Sequence, residues 1–251
     1  MTKIYGLIGY PLGHSFSAGY FADKFKKENI HDCIYRNFPL DEISKLPSLI
    51  SDTPELIGLN VTIPYKEQVI KFLDEIDQEA KEVGAVNTIK ISRTANSYKL
   101  KGFNSDVYGF RNSLQPLLKE YHKKALILGT GGASKAIKFV LGKLNIEFIS
   151  ASIEELKENE IRYEAIDKNM IEERLLIIHA TPLGTYPNID FCPPVPYQFL
   201  TPKHILFDLV YNPEETLYLK KGKEKGAITM NGLKMLHFQA ERSWKIWHAN
   251  I

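Results

Sequence analysis

Short, β-rich apolar runs alternate with amphipathic stretches along this chain, an order that predicts an α/β fold with parallel strands. Residues 3–9, 33–38 and 58–63 read as strands, and 86–92 with 98–103 as the arms of a hairpin turning around 94–97. Helical patterns fill 16–28, 41–50 and 66–83 between them, and a longer helix is predicted from Asp106 to about Glu120. Lys-Ala-Leu-Ile-Leu at 124–128 is a compact buried-strand signature, followed by a glycine cluster and a helix over 133–144. Further buried strands are predicted at 147–150, 175–180 and 205–210. The last helix, 232–249, carries Leu233, Leu236, Ala240 and Trp244 on one apolar stripe. The acidic, weakly periodic stretch 153–174 reads as a helix and a poor edge strand whose charges face water. No internal repeat or Gly/Ser linker appears, and a domain boundary is placed near residue 106; on pattern alone the terminal helix fits either half.

Composition narrows the class. At 251 residues the chain has room for one large domain or two small ones. Hydrophobic residues at 44% and charged residues at 25% are ordinary for a globular protein. With 32 Lys and Arg against 30 Asp and Glu, the net charge of +2 gives no electrostatic footprint for nucleic acid. Apolar runs such as 175–178 are far below the ~20 residues that span a bilayer, so no membrane partner is expected. The opening MTKIYGLIGYPLGHS lacks the apolar core of a signal peptide, and a cytoplasmic protein is the expectation. Cys33 and Cys192 are the two cysteines, in no metal-ligand spacing, so neither a disulfide framework nor a metal is expected.

The glycine cluster is the first candidate site. Gly129-Thr130-Gly131-Gly132-Ala133-Ser134 follows a strand and opens a helix, the context of a dinucleotide fingerprint. Gly129 permits the tight turn, Gly131 lets backbone approach a pyrophosphate, and the helix start offers free N–H groups. Ser134 stands where the strict pattern has Gly or Ala. The following strand ends in Ile149-Ser150-Ala151-Ser152, with neither the acid that holds a ribose 2′-hydroxyl nor the Arg that meets a 2′-phosphate.

Three polar clusters mark the N-terminal half: Ser15 and Ser17 at a helix start; Asn60, Thr62 and Lys66 around the end of a strand; and Asn87 with Asp106. Taken singly, each has an ordinary reading as an N-cap, a solvated lysine or a helix cap. Taken together they suit a small polyhydroxylated acid. The two serines would take its carboxylate; Asn60, Thr62, Asn87 and Asp106 its hydroxyls; and Lys66 would supply charge or a proton. A nicotinamide would deliver hydride across a domain cleft.

These residues lie in segments that resemble the shikimate dehydrogenase family: GHSFS (13–17), NVTIPYKE (60–67), GAVNT (84–88), GFNSDVYGF (102–110), LGTGGASKA (128–136), ATPLG (180–184), DLVYNPEET (208–216) and GLKMLHFQA (232–240). They run in the family's order over nearly the whole chain. The resemblance implies an N-terminal α/β substrate domain, residues 1–105 plus the helix 232–251, and a Rossmann-like NAD(P)-binding domain, 106–231, with a cleft between them. It implies reversible NADPH-dependent reduction of 3-dehydroshikimate to shikimate, in chorismate and aromatic amino-acid biosynthesis. Carried over by position, Ser15 and Ser17 would bind the carboxylate, while Thr62, Asn87, Asp106, Gln239 and Tyr211 would also touch substrate. Lys66 and Asp106 would be the catalytic pair, with Lys66 as acid/base. Gly129, Thr130, Gly131, Gly132, Ala133, Leu209 and Gly232 would line NADP.

The departures are local. The family usually ends its second cofactor strand with Asn-Arg-Thr or Ser-Arg-Thr, whose Arg clamps the 2′-phosphate; here Ser150, Ala151 and Ser152 match, so Ala151 stands in place of Arg. Ser150, Ser152 or Lys135 would then substitute more weakly at the ribose end, and since no Asp replaces the Arg, NAD use stays open without a clean switch to it. The region 153–174 is shorter than the family's, and His179 replaces a common Asn. Alternatives are an NAD-linked quinate/shikimate dehydrogenase and a non-catalytic shikimate-binding regulatory module. A folate-directed dehydrogenase is disfavoured by Ser15 and Ser17. A monomer or a homodimer would serve equally.

Overall fold

The computed structural model describes residues 2–13, 16–95 and 97–249. It divides into two compact units, Met1–Tyr108 with Gln239–Ile251, and Gly109–Phe238.

In the first unit, β1 (Lys3–Gly9) leads into α1 (Phe16–Lys27), β2 (Cys33–Pro39), α2 (Leu46–Asp52) and β3 (Leu56–Val61). β4 (Glu75–Ile76), α3 (Gln78–Val83), β5 (Thr88–Arg93), β6 (Tyr98–Phe103) and α4 (Ser105–Leu114) follow. The sheet order is β2-β1-β3-β5-β6-β4. β1 pairs parallel with β2 and β3, whereas β5 is antiparallel to β3 and to β6. The expected hairpin therefore makes this sheet mixed rather than purely parallel. The predicted helix over 66–83 is a 3-10 turn at Gln68–Phe72, the short strand β4 and α3. The cause lies in two aspartates. Asp74 accepts the Leu100 N–H at 2.7 Å and draws the chain to β6; Asp77 then caps α3 through the Glu79 N–H at 3.1 Å.

Both faces of this sheet are covered, as parallel strands require. Ile4, Ile8, Leu56, Leu59, Val61 and Ile89 pack on one side with residues of α2. On the other side Tyr5, Phe21, Phe25 and Phe103 pack against Ala240, Ile246 and Trp247.

The second unit contains β7 (Lys124–Leu128), α5 (Gly132–Lys143), β8 (Glu147–Ser152), β9 (Glu160–Arg162), α6 (Lys168–Glu173), β10 (Leu176–His179), β11 (Ile205–Asp208), α7 (Leu217–Lys223) and β12 (Ile228–Met230). Every pairing is parallel, in the order β12-β11-β10-β7-β8-β9. This is the doubly wound 3-2-1-4-5-6 order, whose ligand site lies beyond the carboxyl ends of the strands. The stretch 153–174 supplies the edge strand β9 and the short helix α6. The C-terminal helix α8 (Leu233–His248) begins in the second unit and passes into the first at Gln239.

Trp247 fixes α8 on the first sheet. Its Nε1 donates to the Ile89 carbonyl at 3.0 Å, and a Cβ placed on Gly58 would lie 2.5 Å from that nitrogen. Only a glycine in β3 allows the indole this close. Among the described residues, no helix is long and apolar enough to cross a membrane.

Candidate functional site

α4 starts where Asn104 Oδ1 accepts the Val107 N–H at 3.2 Å. Asn104 caps the helix, so the Asp106 carboxylate is left for another partner. That partner is Lys66, whose Nζ lies 2.6 Å from Asp106 Oδ2 with the two side chains 17% and 12% exposed. The 2.6 Å contact between two poorly exposed side chains fixes the position of each by the other. The Lys66 carbonyl accepts the Val86 N–H at 2.8 Å, which ties the lysine to the segment carrying Asn87.

Asn87 Oδ1 accepts the Ser105 N–H at 2.6 Å and the hydroxyls of Ser105 and Thr88 at 3.1 and 3.2 Å. Its Nδ2 has no partner among the described residues. Gln239 repeats this arrangement from α8. Its Oε1 accepts the Ser105 hydroxyl at 3.3 Å, and its Nε2 has no partner among the described residues. Buried amides whose oxygens are pinned and whose NH2 groups are open are pre-set donors for ligand oxygens. Thr62, half-buried past the end of β3, likewise has a hydroxyl without a partner among the described residues.

Asn60 differs. Its Oδ1 accepts the Tyr35 hydroxyl at 2.9 Å, and its Nδ2 lies 2.9 Å from Ser243 Oγ and 3.3 Å from both Thr88 Oγ1 and the Asn87 carbonyl. With 4% exposure its amide is saturated by the protein and locks β3 to α8. The Ser17 hydroxyl hydrogen-bonds the Tyr35 phenol, whose pKa burial pushes up against that bond. Ser17 thus joins the same network from α1, whereas Ser15 lies outside the described residues.

Sequence reasoning missed the links of this network: Tyr35, Thr88, Ser105 and Ser243. Ser243 hydrogen-bonds Thr88 and Ser105 at 2.9 and 3.1 Å. Its i+4 spacing from Gln239 was the available signal, since that places both on one helix face.

α8 is held at its outer side by a second cluster. Lys24 Nζ reaches Glu241 Oε1 at 2.9 Å and Glu28 at 2.6 Å, and the Tyr20 hydroxyl also donates to Glu241. Burial raises the Glu241 carboxyl, but the bonds from Tyr20 and Lys24 outweigh it and hold its pKa below the usual value.

In the second unit the glycine turn fits a dinucleotide. Gly129 has φ +109°, closed to side chains, and a Cβ there would lie 2.6 Å from the Thr181 methyl. At Gly131 and Gly132 a Cβ would meet nothing within 4 Å, so the backbone at the head of α5 is open to a ligand. Ser134 is compatible with the fingerprint: it is buried, and its hydroxyl bonds back to the Gly131 carbonyl at 2.6 Å. The Thr130 and Ser152 hydroxyls share a hydrogen bond at 3.3 Å, joining the turn to the end of β8. Ser150 is fully buried and its hydroxyl has no partner among the described residues.

Beyond β10 and β11, His179 Nδ1 lies 2.9 Å from Asp208 Oδ1, while its Nε2 bonds Thr181 and Asp208 Oδ2 takes the Thr216 hydroxyl. The network braces the strand ends from which Leu209 emerges. Gly232 packs on Leu209 so closely that a Cβ would lie 2.1 Å from the Leu209 carbonyl oxygen. Tyr211 is half-buried nearby in sequence, and burial raises its phenol. Among the described residues no group of three or more His, Cys, Asp or Glu could hold a metal.

An open glycine turn heading a six-stranded parallel sheet, in a chain whose other unit holds a shielded Lys–Asp pair and amides whose NH2 groups have no partner among the described residues, defines the class of two-domain α/β dehydrogenases. A sequence model of the shikimate dehydrogenase substrate binding domain matches residues 7–89. The chain belongs to the shikimate dehydrogenase family. It is 36% identical, over 98% of its own length and 92% of the relative's, to the shikimate dehydrogenase (NADP(+)) of Methanococcus aeolicus. A chorismate mutase/shikimate 5-dehydrogenase fusion protein from Clostridium acetobutylicum superposes with a TM-score of 0.86 at 38% identity, over 98% of this chain and 91% of that one. The shikimate 5-dehydrogenase of Thermus thermophilus in complex with NADP(H) and shikimate gives 0.82 at 26%, over 98% and 94%.

Proposed function

We propose that this protein catalyses the reversible NADPH-dependent reduction of 3-dehydroshikimate to shikimate. The first unit holds the substrate, and the second holds the cofactor on the Gly129–Ala133 turn with Leu209 and Gly232. The observation that carries this reading is the shielded Lys66–Asp106 pair, tied to Asn87 because the Lys66 carbonyl accepts the Val86 N–H and Asn87 Oδ1 accepts the N–H of Ser105, the neighbour of Asp106.

The nicotinamide, when bound, supplies a hydride to the carbonyl carbon. Lys66 does the rest of the chemistry: its ammonium donates a proton to the oxygen that becomes alkoxide, and its charge stabilises that oxygen as it develops. Asp106 orients Lys66 and presents its second oxygen to a substrate hydroxyl. Asn87 Nδ2, Gln239 Nε2 and Thr62 Oγ1 take further hydroxyls, Ser15 and Ser17 the carboxylate, and Tyr211 a substrate edge from its own segment. Asn60, saturated by the protein, positions the strand that carries Thr62. The chain acts as a cytoplasmic monomer or homodimer on a small molecule.

Initial rates of shikimate oxidation at pH ~9–10, with NADP and NAD in parallel and quinate as second substrate, test the reading. Oxidation releases a proton, so alkaline pH pulls it forward. The expected result is a clearly higher kcat/KM for shikimate with NADP. Better turnover of quinate with NAD would assign the chain to quinate/shikimate dehydrogenases, and shikimate binding without turnover would make it a binding module.

A further inference from the structure

The residue that matches the family's phosphate-clamping Arg is Ala151, whose methyl side chain offers a phosphate no donor. β8 runs to Ser152, and Ala151 is buried in the core with Leu126, Leu128, Ile177 and Tyr163. We propose that Arg162, the last residue of the neighbouring strand β9, recognises the 2′-phosphate of NADP in its place. This inference rests on the NADP reading above.

Parallel strands bring the two ends together. Ser152 and Arg162 are register partners and close their respective strands. Neighbouring strands run about 4.8 Å apart. Both residues therefore sit at the carboxyl edge, where open α/β sheets bind their ligands. Side-chain alternation then fixes the face. Ala151, Ile161 and Tyr163 belong to the core side, so Ser152, Glu160 and Arg162 share the other. That is the side of α5, because Lys138 of α5 reaches Glu160 at 3.2 Å. It is also the side on which Ser152 meets Thr130 of the glycine turn. Arg162 accordingly stands one strand over from the residue that touches the turn.

Its side chain is available. Arg162 is exposed and makes no hydrogen bond or ion pair among the described residues. Glu160, the acid on the same face of β9, is already neutralised by Lys138. The loop after β8 carries Glu154, but what it turns to the Ser152 hydroxyl is its backbone N–H, at 3.1 Å. A planar guanidinium meets a phosphate through two parallel hydrogen bonds, which a lysine cannot reproduce.

The test is binding rather than turnover. Wild type, Arg162→Ala and Arg162→Lys are titrated with NADPH and with NADH by nicotinamide fluorescence, and with adenosine 2′,5′-bisphosphate and AMP by calorimetry. Arg162→Ala is expected to weaken NADPH and the bisphosphate about 10- to 100-fold, the range of a lost charge-assisted pair. NADH and AMP should change less than about twofold, and Arg162→Lys should recover part of the loss. If wild type prefers NADPH and Arg162→Ala keeps that preference, the role of Arg162 is overturned. Equal loss for NADPH and NADH would also overturn it, marking the residue as merely structural. A wild type that does not distinguish the two would instead overturn the NADP reading itself.

Discussion

In the proposed function, Lys66 is the residue on which the chemistry turns. On that proposal, truncating it would remove the proton donor and the charge facing the developing alkoxide, while the amides proposed to bind hydroxyls would keep their places. Lys66→Ala is therefore expected to lower kcat by about 10²–10⁴-fold with a modest change in KM. Steady-state kinetics in both directions check this, and a near wild-type kcat would remove Lys66 from the mechanism. Gln239→Ala should act differently. On the proposed function it would delete one donor to a substrate hydroxyl, so KM for shikimate should rise about tenfold with less effect on kcat. Much at this scale was legible in the sequence: Lys66, Asp106 and Asn87 sit in motifs whose order is their signature, and the structure couples them. What stayed hidden was the division of labour between similar amides. Asn60 and Asn87 both read as offers of hydrogen bonds to ligand, yet Asn60 gives all of its own to Tyr35, Asn87, Thr88 and Ser243. Saturation depends on partners far apart in the chain, and no local pattern encodes it.

Among the elements, α8 carries Gln239 and Ser243 into the site, and its attachment sets their position. Trp247 is 5% exposed, and its loss would open a cavity over Gly58. Trp247→Ala should cost about 3–5 kcal/mol in urea unfolding and weaken shikimate binding together with stability. The outer anchor gives a pH signature. Because the Glu241 pKa is lowered on folding, its contribution is present above the ordinary carboxylate range and lost as pH falls through the folded-state value. The stability gap between wild type and Glu241→Gln should be widest above about pH 5 and close in more acidic solution. Urea titrations at a series of pH values measure it. A gap that is constant down to pH 3 would mean the carboxylate's charge is not what holds the helix. Strands buried on both faces were readable from their unbroken apolar runs, as were the amphipathic helices. The region 66–83 was not, because Asp74 and Asp77 break a helical pattern through hydrogen bonds to a strand 26 residues away and to the next turn. β12 escaped for a related reason: Ile228–Met230 is three residues long and half-buried, and becomes a strand only because β11 lies beside it.

At the scale of the whole molecule, the proposed function gives the substrate to one of two sheets with separate cores and the cofactor to the other. One sheet is mixed and ties its polar network to α8. The other is wholly parallel and leaves the backbone at Gly131 and Gly132 open. Each ligand should then leave its own footprint on amide hydrogen exchange, since binding the native state suppresses local opening around the site. Shikimate is expected to slow exchange in peptides covering 60–66, 86–88, 104–107 and 236–243, all centred on the first unit. NADPH should slow it in 128–134 and 150–162, with 209–210 and 230–233, in the second. Exchange measured by mass spectrometry with each ligand alone separates the two assignments. NADPH protection confined to the first unit, or shikimate protection around the glycine turn, would reverse the roles given to the sheets. Protection at 160–162 with NADPH but not NADH would also place the phosphate end over β9, independently of any substitution.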